Sequence, residues 1–151
     1  MLNQKLEKSV GAVVFYQSKK DKEVYYLLLQ HQNAFHWSMP KGRIERKETE
    51  KQTAIREIKE ETDIDDLIFY DTFREEIKYK FKHNNYLINK TVVFFLCKTN
   101  MFDIKLSNEH INFKWLKIKD AIKLATHKNT KDVLKKADEF ITRRGLNKIN
   151  A

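Results

Sequence analysis

One proline, one cysteine and three glycines in 151 residues give this chain few turn-makers and no way to close an intrachain disulfide. A disulfide scaffold is excluded, and no Cys/His spacing suits a zinc finger, so a reducing cytoplasm is the expected home. Long apolar runs are also missing. The longest, Val92 to Cys97, falls far short of the ~20 residues that span a bilayer, and Met1 to Val10 lacks the apolar stretch of a secretory signal. Neither membrane insertion nor export is expected. With 41% apolar and 12% aromatic residues the chain can bury a real core, and its length suits one domain over residues 1–151 acting as a monomer.

Acidic residues are outnumbered, 21 against 30 basic ones, for a formal charge of +9. That surplus favours polyanionic partners: nucleotides, nucleic acid, inositol phosphates or a membrane surface. The bias toward Asn, Ile, Phe and Tyr and away from Gly and Pro is equally what AT-rich coding DNA produces without selection for binding.

Val10–Tyr16 and Val24–Gln30 are β-branched and aromatic runs that read as strands. Pro40-Lys41-Gly42 then places the sole proline and a scarce glycine around one lysine, predicting special backbone geometry there. Thr49 and Gln52 have capping-box spacing and open a helix to about Thr62, with Ala54, Ile55 and Ile58 as its buried stripe. Leu67–Phe73 and Ile77–Phe81 alternate as strands, His83-Asn84-Asn85 predicts a hairpin turn, and Lys90–Cys97 returns. A short strand at Phe113–Leu116 precedes helices at Lys119–Thr126 and Asn129–Arg143, with a frayed tail from Gly145.

Glu57, Glu60 and Glu61 fall at i, i+3 and i+4, three carboxylates on one helix face opposite the apolar stripe. Periodicity alone leaves two readings open, a solvated acidic face or a nest of hard oxygen ligands for Mg²⁺ or Mn²⁺ near a phosphoanhydride.

Gly42, five residues, Glu48, seven residues, then Arg56-Glu57-Ile58-Lys59-Glu60-Glu61-Thr62-Asp63-Ile64 resembles the Nudix box, G-x5-E-x7-R-E-U-x-E-E-x-G-U, with Asp63 in place of the last glycine. Asp tolerates the left-handed conformation that such a glycine takes after a helix. The resemblance implies an α/β fold, the Nudix α/β/α sandwich with a mixed central sheet and the catalytic helix after the glycine turn. It also implies hydrolysis of a nucleoside diphosphate linked to another moiety, with Mg²⁺, or Mn²⁺ in its place. Carried over, Glu57, Glu60 and Glu61 would hold metal with a carbonyl near Lys41 or Gly42, and Arg56 would pair with Glu48 to hold the loop against the helix.

Outside the box, His36-Trp37-Ser38-Met39-Pro40-Lys41-Gly42 and Leu106-Ser107-Asn108-Glu109-His110 resemble the asymmetric diadenosine tetraphosphate (Ap4A) hydrolase branch. That likeness implies a dinucleoside polyphosphate substrate split into ATP and AMP by metal-activated water. It makes Glu109 a further metal ligand or the general base, a role for which Glu57 also remains open. His36, Lys41 and Lys90 would contact the polyphosphate. The branch stacks adenine between aromatic rings; here His127 and His83 stand at those places, with Tyr79, Phe81 or Tyr86 as substitutes. Other Nudix activities, on RNA 5′ ends or diphosphoinositol polyphosphates, suit the same charge, as does a non-catalytic Nudix-fold RNA binder gripping through Lys131, Lys135 and Lys136.

Overall fold

Polar residues precede the first apolar run, yet they are strand. In the computed structural model, which describes residues 3–147, β1 spans Asn3–Gln17, β2 Val24–His31, β3 Trp37–Ser38, β4 Lys41–Arg43, β5 Ile68–His83, β6 Tyr86–Lys98 and β7 His110–Leu116. Helices are α1 (Glu50–Thr62), α2 (Ile118–Leu124) and α3 (Lys128–Arg143). The strands form one mixed sheet in the order β3-β2-β1-β6-β5, with β4 added to β1 and β7 to β2. β1 and β6 run parallel from Asn3↔Tyr86 to Phe15↔Lys98; the other pairings are antiparallel.

Alternation along β1 sorts its side chains between two helical layers. Ala12 and Val14 face α1, packing with Leu27, Leu29, Ile58 and Cys97. Val13 and Phe15 face the other way, joining Val92, Phe94 and the α3 residues Val133, Leu134, Ala137 and Ile141. Helices on both faces of a mixed sheet make the expected α/β/α sandwich. No helix among the described residues is long and apolar enough to cross a membrane.

Helix cover ends before the strands do. Residues 3–8 of β1, 77–83 of β5 and 86–91 of β6 continue as a three-stranded wing, its outermost rows Asn3↔Tyr86↔His83 and Lys5↔Ile88↔Phe81. Asn84 and Asn85 close the hairpin at its tip with φ of 47° and 66°, the positive values that suit the right-handed strand twist.

The start of α1 follows the capping box: Thr49 Oγ1 accepts from the Gln52 N–H at 3.1 Å, and Gln52 Oε1 accepts from the Thr49 N–H at 2.9 Å. Its end is Asp63 at φ 66°, whose N–H bonds the Lys59 carbonyl and whose carboxylate lies 2.7 Å from Lys59 Nζ. Two expectations about this helix need correction. Ile55 is exposed, because the buried stripe runs instead through Thr53, Ala54, Ile58, Glu61 and Thr62. Glu61 is thus on the buried side, not opposite it. The tail also differs: Gly145 at φ 66° bonds Thr142 O, Leu146 N–H bonds Ile141 O, and Leu146 packs on the core, which ties residues 145–147 back onto α3. The remainder of the predicted frayed tail lies outside the described residues.

Candidate active site

Where helix cover ends, a cleft of about 590 Å³ opens between α1, the β1–β4 pair and the loop before β7. The helix contributes Glu57, Glu60 and Glu61, the strands Ser9, Lys41, Gly42 and Arg43, and the β2 end and the loop His31, Ser107, Asn108 and Glu109. The resemblance-based set Glu57, Glu60, Glu61, Glu109, Lys41 and Gly42 therefore meets in one place.

The glycine turn works by close approach. Gly42 has no positive φ, against the expectation of special backbone geometry; instead a Cβ there would sit 1.9 Å from the Glu57 carboxyl carbon. Only hydrogen at this position lets β4 press on the Glu57 carboxylate. Gly11 serves likewise under the turn, where a Cβ would lie 2.0 Å from the Pro40 carbonyl oxygen.

Arg56 fastens the loop to the helix. Its Nε and Nη2 donate to the two Glu48 oxygens at 2.7 and 3.0 Å, a fork matched to a carboxylate, and Nη2 also reaches the Arg43 carbonyl at 3.0 Å. Glu48 accepts further from the Glu45 N–H and Thr53 Oγ1, each at 2.9 Å. Arg56 holds the Glu48 carboxyl down at about 2. The same guanidinium lies 2.7 Å from Glu57 and 3.3 Å from Glu60 through Nη1.

Glu61 is the anomalous acid. Burial, then the charges of Glu57 and Glu109, push its carboxyl up to about 9, partly offset by the Lys41 ammonium and backbone N–H. Burial also raises Glu57, against the opposing pull of Arg56, and lowers Lys41. His110 Nε2 lies 3.4 Å from Glu61 Oε1, while Glu61 Oε2 is buried with no hydrogen-bond partner among the described residues. Burial, then the His31 charge, lowers His110 as well.

Among the described residues no three His, Cys, Asp or Glu side chains converge tightly enough to hold an ion as they stand. Glu57 and Glu60 are turned toward Arg56. The donor set nevertheless fits a hard divalent cation: an unpartnered buried carboxylate oxygen on Glu61, a carboxyl that burial and the neighbouring Glu57 and Glu109 raise, and further carboxylates in the same cleft. A dication here would replace the proton that Glu61 otherwise keeps.

The loop bearing Glu109 is fixed by its backbone. Lys105 N–H bonds Thr62 O at 3.1 Å, Ser107 N–H bonds Glu61 O at 3.3 Å, and Glu109 O accepts from Gln32 N–H at 2.9 Å. Glu109 itself is exposed at the cleft.

Other expected contacts lie off the cleft lining. Lys90 is buried behind Ser9, donating to its Oγ at 2.6 Å, with Glu7 at 3.5 Å. His36 and His127 pair edge-on with centroids 4.5 Å apart, beside the Trp37–Thr126 clasp. His83 and Tyr86, expected at the adenine wall, stand at the wing tip. Tyr86 is opposite Asn3, six residues beyond Ser9, and thus ~20 Å from the cleft at strand rise. β5 and β6 project past the cleft and carry His83 out with the hairpin. The lysines assigned to an RNA grip are partly committed as well: Lys131 caps the Ile122 and Lys123 carbonyls, and Lys136 pairs with Glu75. Ser9, His31 and Arg43 were missed at the cleft, since only Ser107 and Asn108 fall within a recognisable stretch.

The chain is similar to known proteins over most of its length. The chain is 37% identical over 123 residues to the bis(5′-nucleosyl)-tetraphosphatase [asymmetrical] of Sus scrofa, covering 78% of this chain and 81% of that protein. It is 36% identical over 138 residues to the enzyme of that name from Caenorhabditis elegans, covering 89% and 96%. A solved C. elegans Ap4A hydrolase binary complex superposes with a TM-score of 0.81 at 33% identity, over 91% of this chain and 98% of that one. Since the NUDIX domain pattern itself matches residues 5–137, from the wing through most of α3, the chain belongs to the Nudix family.

Proposed function

We propose that this protein hydrolyses bis(5′-nucleosyl) tetraphosphates of the Ap4A type to ATP and AMP. The observation that carries the reading is the meeting of Glu57, Glu60, Glu61, Glu109 and Lys41 in one cleft. The likeness to the C. elegans enzyme over 96% of its length supports the choice of substrate. Nudix hydrolases need a divalent cation, and we assign Mg²⁺, with Mn²⁺ as substitute, to Glu57, Glu60 and Glu61 with the Lys41–Gly42 backbone. Such an ion, when bound, supplies charge neutralisation on the phosphate and a more acidic water.

The protein's own groups do the rest. Lys41 and the buried Lys90 behind it provide positive charge along the phosphate chain, and burial together with the Lys41 charge lowers Lys90. Arg56 keeps the Glu57 carboxylate in place, so that its oxygens orient and do not shuttle protons. Glu109, exposed on a loop whose backbone is tied to α1 and β2, is the better-placed acceptor of the water proton. We place the protein in the cytoplasm as a single-domain monomer, a setting that suits the buried, unpaired Cys97.

The test is incubation with Ap4A and Mg²⁺, products resolved by anion-exchange chromatography beside a Glu57→Gln control. ATP and AMP in equal amounts from the wild type alone are expected. Two ADP molecules, or turnover only of 5′-triphosphorylated RNA or a diphosphoinositol phosphate, would overturn the substrate assignment while keeping the site.

A further inference from the structure

The wing is built at odds with ordinary solvent-facing sheet. Residues 3–9 and 77–90 hold six lysines against a single glutamate, so most of the chain's surplus positive charge sits on this small part of it. Lys8 is paired with Glu50, and Lys90 with Ser9 and Glu7. Lys5, Lys78, Lys80 and Lys82 make no ion pair among the described residues.

Strand alternation then separates two chemistries. The register puts Tyr79, Phe81 and Tyr86 on one face, with Lys5 over the Tyr86 ring at 4.0 Å. Tyr79 and Phe81 are each 39% exposed, their ring centroids 6.1 Å apart. The opposite face carries Lys78, Lys80 and Lys82 at every second residue, ~6.7 Å apart along β5. This is comparable to the spacing of phosphates on an extended single strand. β5 is the sheet edge, so a chain lying along it meets rings on one side and ammonium groups on the other. Lysines on an edge strand also deter edge-to-edge pairing, but that purpose does not call for exposed rings alternating with them.

We infer that the wing is a docking surface for single-stranded RNA, holding phosphates through Lys78, Lys80, Lys82 and Lys5 and stacking bases on Tyr79, Phe81 and Tyr86. The choice of RNA over DNA rests on the phosphoanhydride reading of the cleft. RNA made from nucleoside triphosphates begins with a 5′-polyphosphate, and the strands of the wing run directly to Ser9 at the cleft. The binding itself does not depend on that reading.

The test uses fluorescence anisotropy with the full chain and a 5′-hydroxyl RNA of about twelve nucleotides, which offers the cleft no phosphoanhydride. Binding is expected to weaken about tenfold or more, with a salt slope lower by about two, in Lys78→Glu/Lys80→Glu/Lys82→Glu, while Ap4A turnover is unchanged. A Lys→Gln triple variant, with melting temperature measured, separates lost charge from lost fold. Tyr79→Ala/Phe81→Ala is expected to weaken binding about tenfold at unchanged salt slope. The proposal is overturned by absence of binding at about 100 µM protein, by indifference to the lysine variants, or by equal binding of duplex RNA with the aromatic variant silent. Single-stranded DNA bound as tightly as RNA overturns the choice of RNA. A 5′-triphosphate that adds no affinity likewise overturns the choice of RNA, while failure of the cleft reading is read separately from Ap4A turnover.

Discussion

Strands β1, β5 and β6 each pass through two environments, and the two stretches contrast sharply. Between the helices, β1 reads Val10-Gly11-Ala12-Val13-Val14-Phe15 and β6 reads Val92-Val93-Phe94-Phe95-Leu96-Cys97, with most of these side chains buried. Beyond the helices the same strands turn to Lys, Asn, Gln and Tyr, and Leu6 is 88% exposed. Backbone pairing is continuous across the change. Core formation is therefore decided by what covers the sheet and not by strand pairing, and the cleft opens at the line where cover ends.

The contrast can be broken first at that line. Glu57→Gln removes a carboxylate held between Gly42 and Arg56, and is expected to lower kcat for Ap4A on the order of 10³-fold with the melting temperature nearly unchanged. A loss below tenfold would detach the helix acids from catalysis.

Within the covered stretch, Ile58→Ala empties a fully buried site under the sheet and is expected to cost about 2–5 kcal/mol in urea unfolding. A cost under about 1 kcal/mol would mean that α1 packs loosely and that its acids are poorly positioned.

The next test sharpens the boundary by pH. Glu61 keeps its proton up to about 9 in the fold, whereas in the unfolded chain it loses it near the ordinary glutamate value. The folded state thus binds more protons between those values, so in EDTA stability is fully present below that ordinary value and declines as pH rises toward about 9. Glu61→Gln should flatten this decline, leaving the variant more stable than wild type at pH 8 by on the order of 2 kcal/mol. Adding Mg²⁺ should restore wild type but not the variant. Parallel pH profiles for the two proteins would remove Glu61 from the buried acid cluster.

On the wing the smallest effect is expected. Lys80→Ala, exposed on the open face, should shift stability by less than about 0.5 kcal/mol. A larger loss would show that the bare strands carry structural weight after all.

The same contrast explains what could be read from residues alone. Where a helix covers a strand, burial imposes alternation, so the strands from Val10, Val24 and Lys90 were legible, as were the capping box at Thr49 and the left-handed Asp63. On the wing nothing enforces a pattern, and Asn3–Ser9 has no strand signature; its pairing with β6 is a long-range event. The site followed this rule. Acids at fixed spacing on one helix were legible, and so was Glu109 through its recognisable neighbours. Ser9, His31 and Arg43 come to the cleft only through sheet register, which no local motif encodes. Ile55 and Glu61 exchanged expected environments because helical periodicity gives the relative angle of residues but not which arc meets the sheet.

The long parallel pairing of β1 with β6 bears on how the chain is made. The residues of β1 find their main partner some eighty positions later in the chain, between Tyr86 and Lys98, while β2 offers only Phe15, Tyr16 and Gln17 a register partner. Until β6 has been synthesised, the apolar stretch from Val10 to Phe15 presents an open edge to every neighbour in the cell. Closing that long loop is a slow step that local helix formation cannot hasten. The nascent protein thus has a window of vulnerability set by translation speed, and the lysines at Lys5 and Lys8, already outside, give that unfinished strand its only charge of excess sign against self-association.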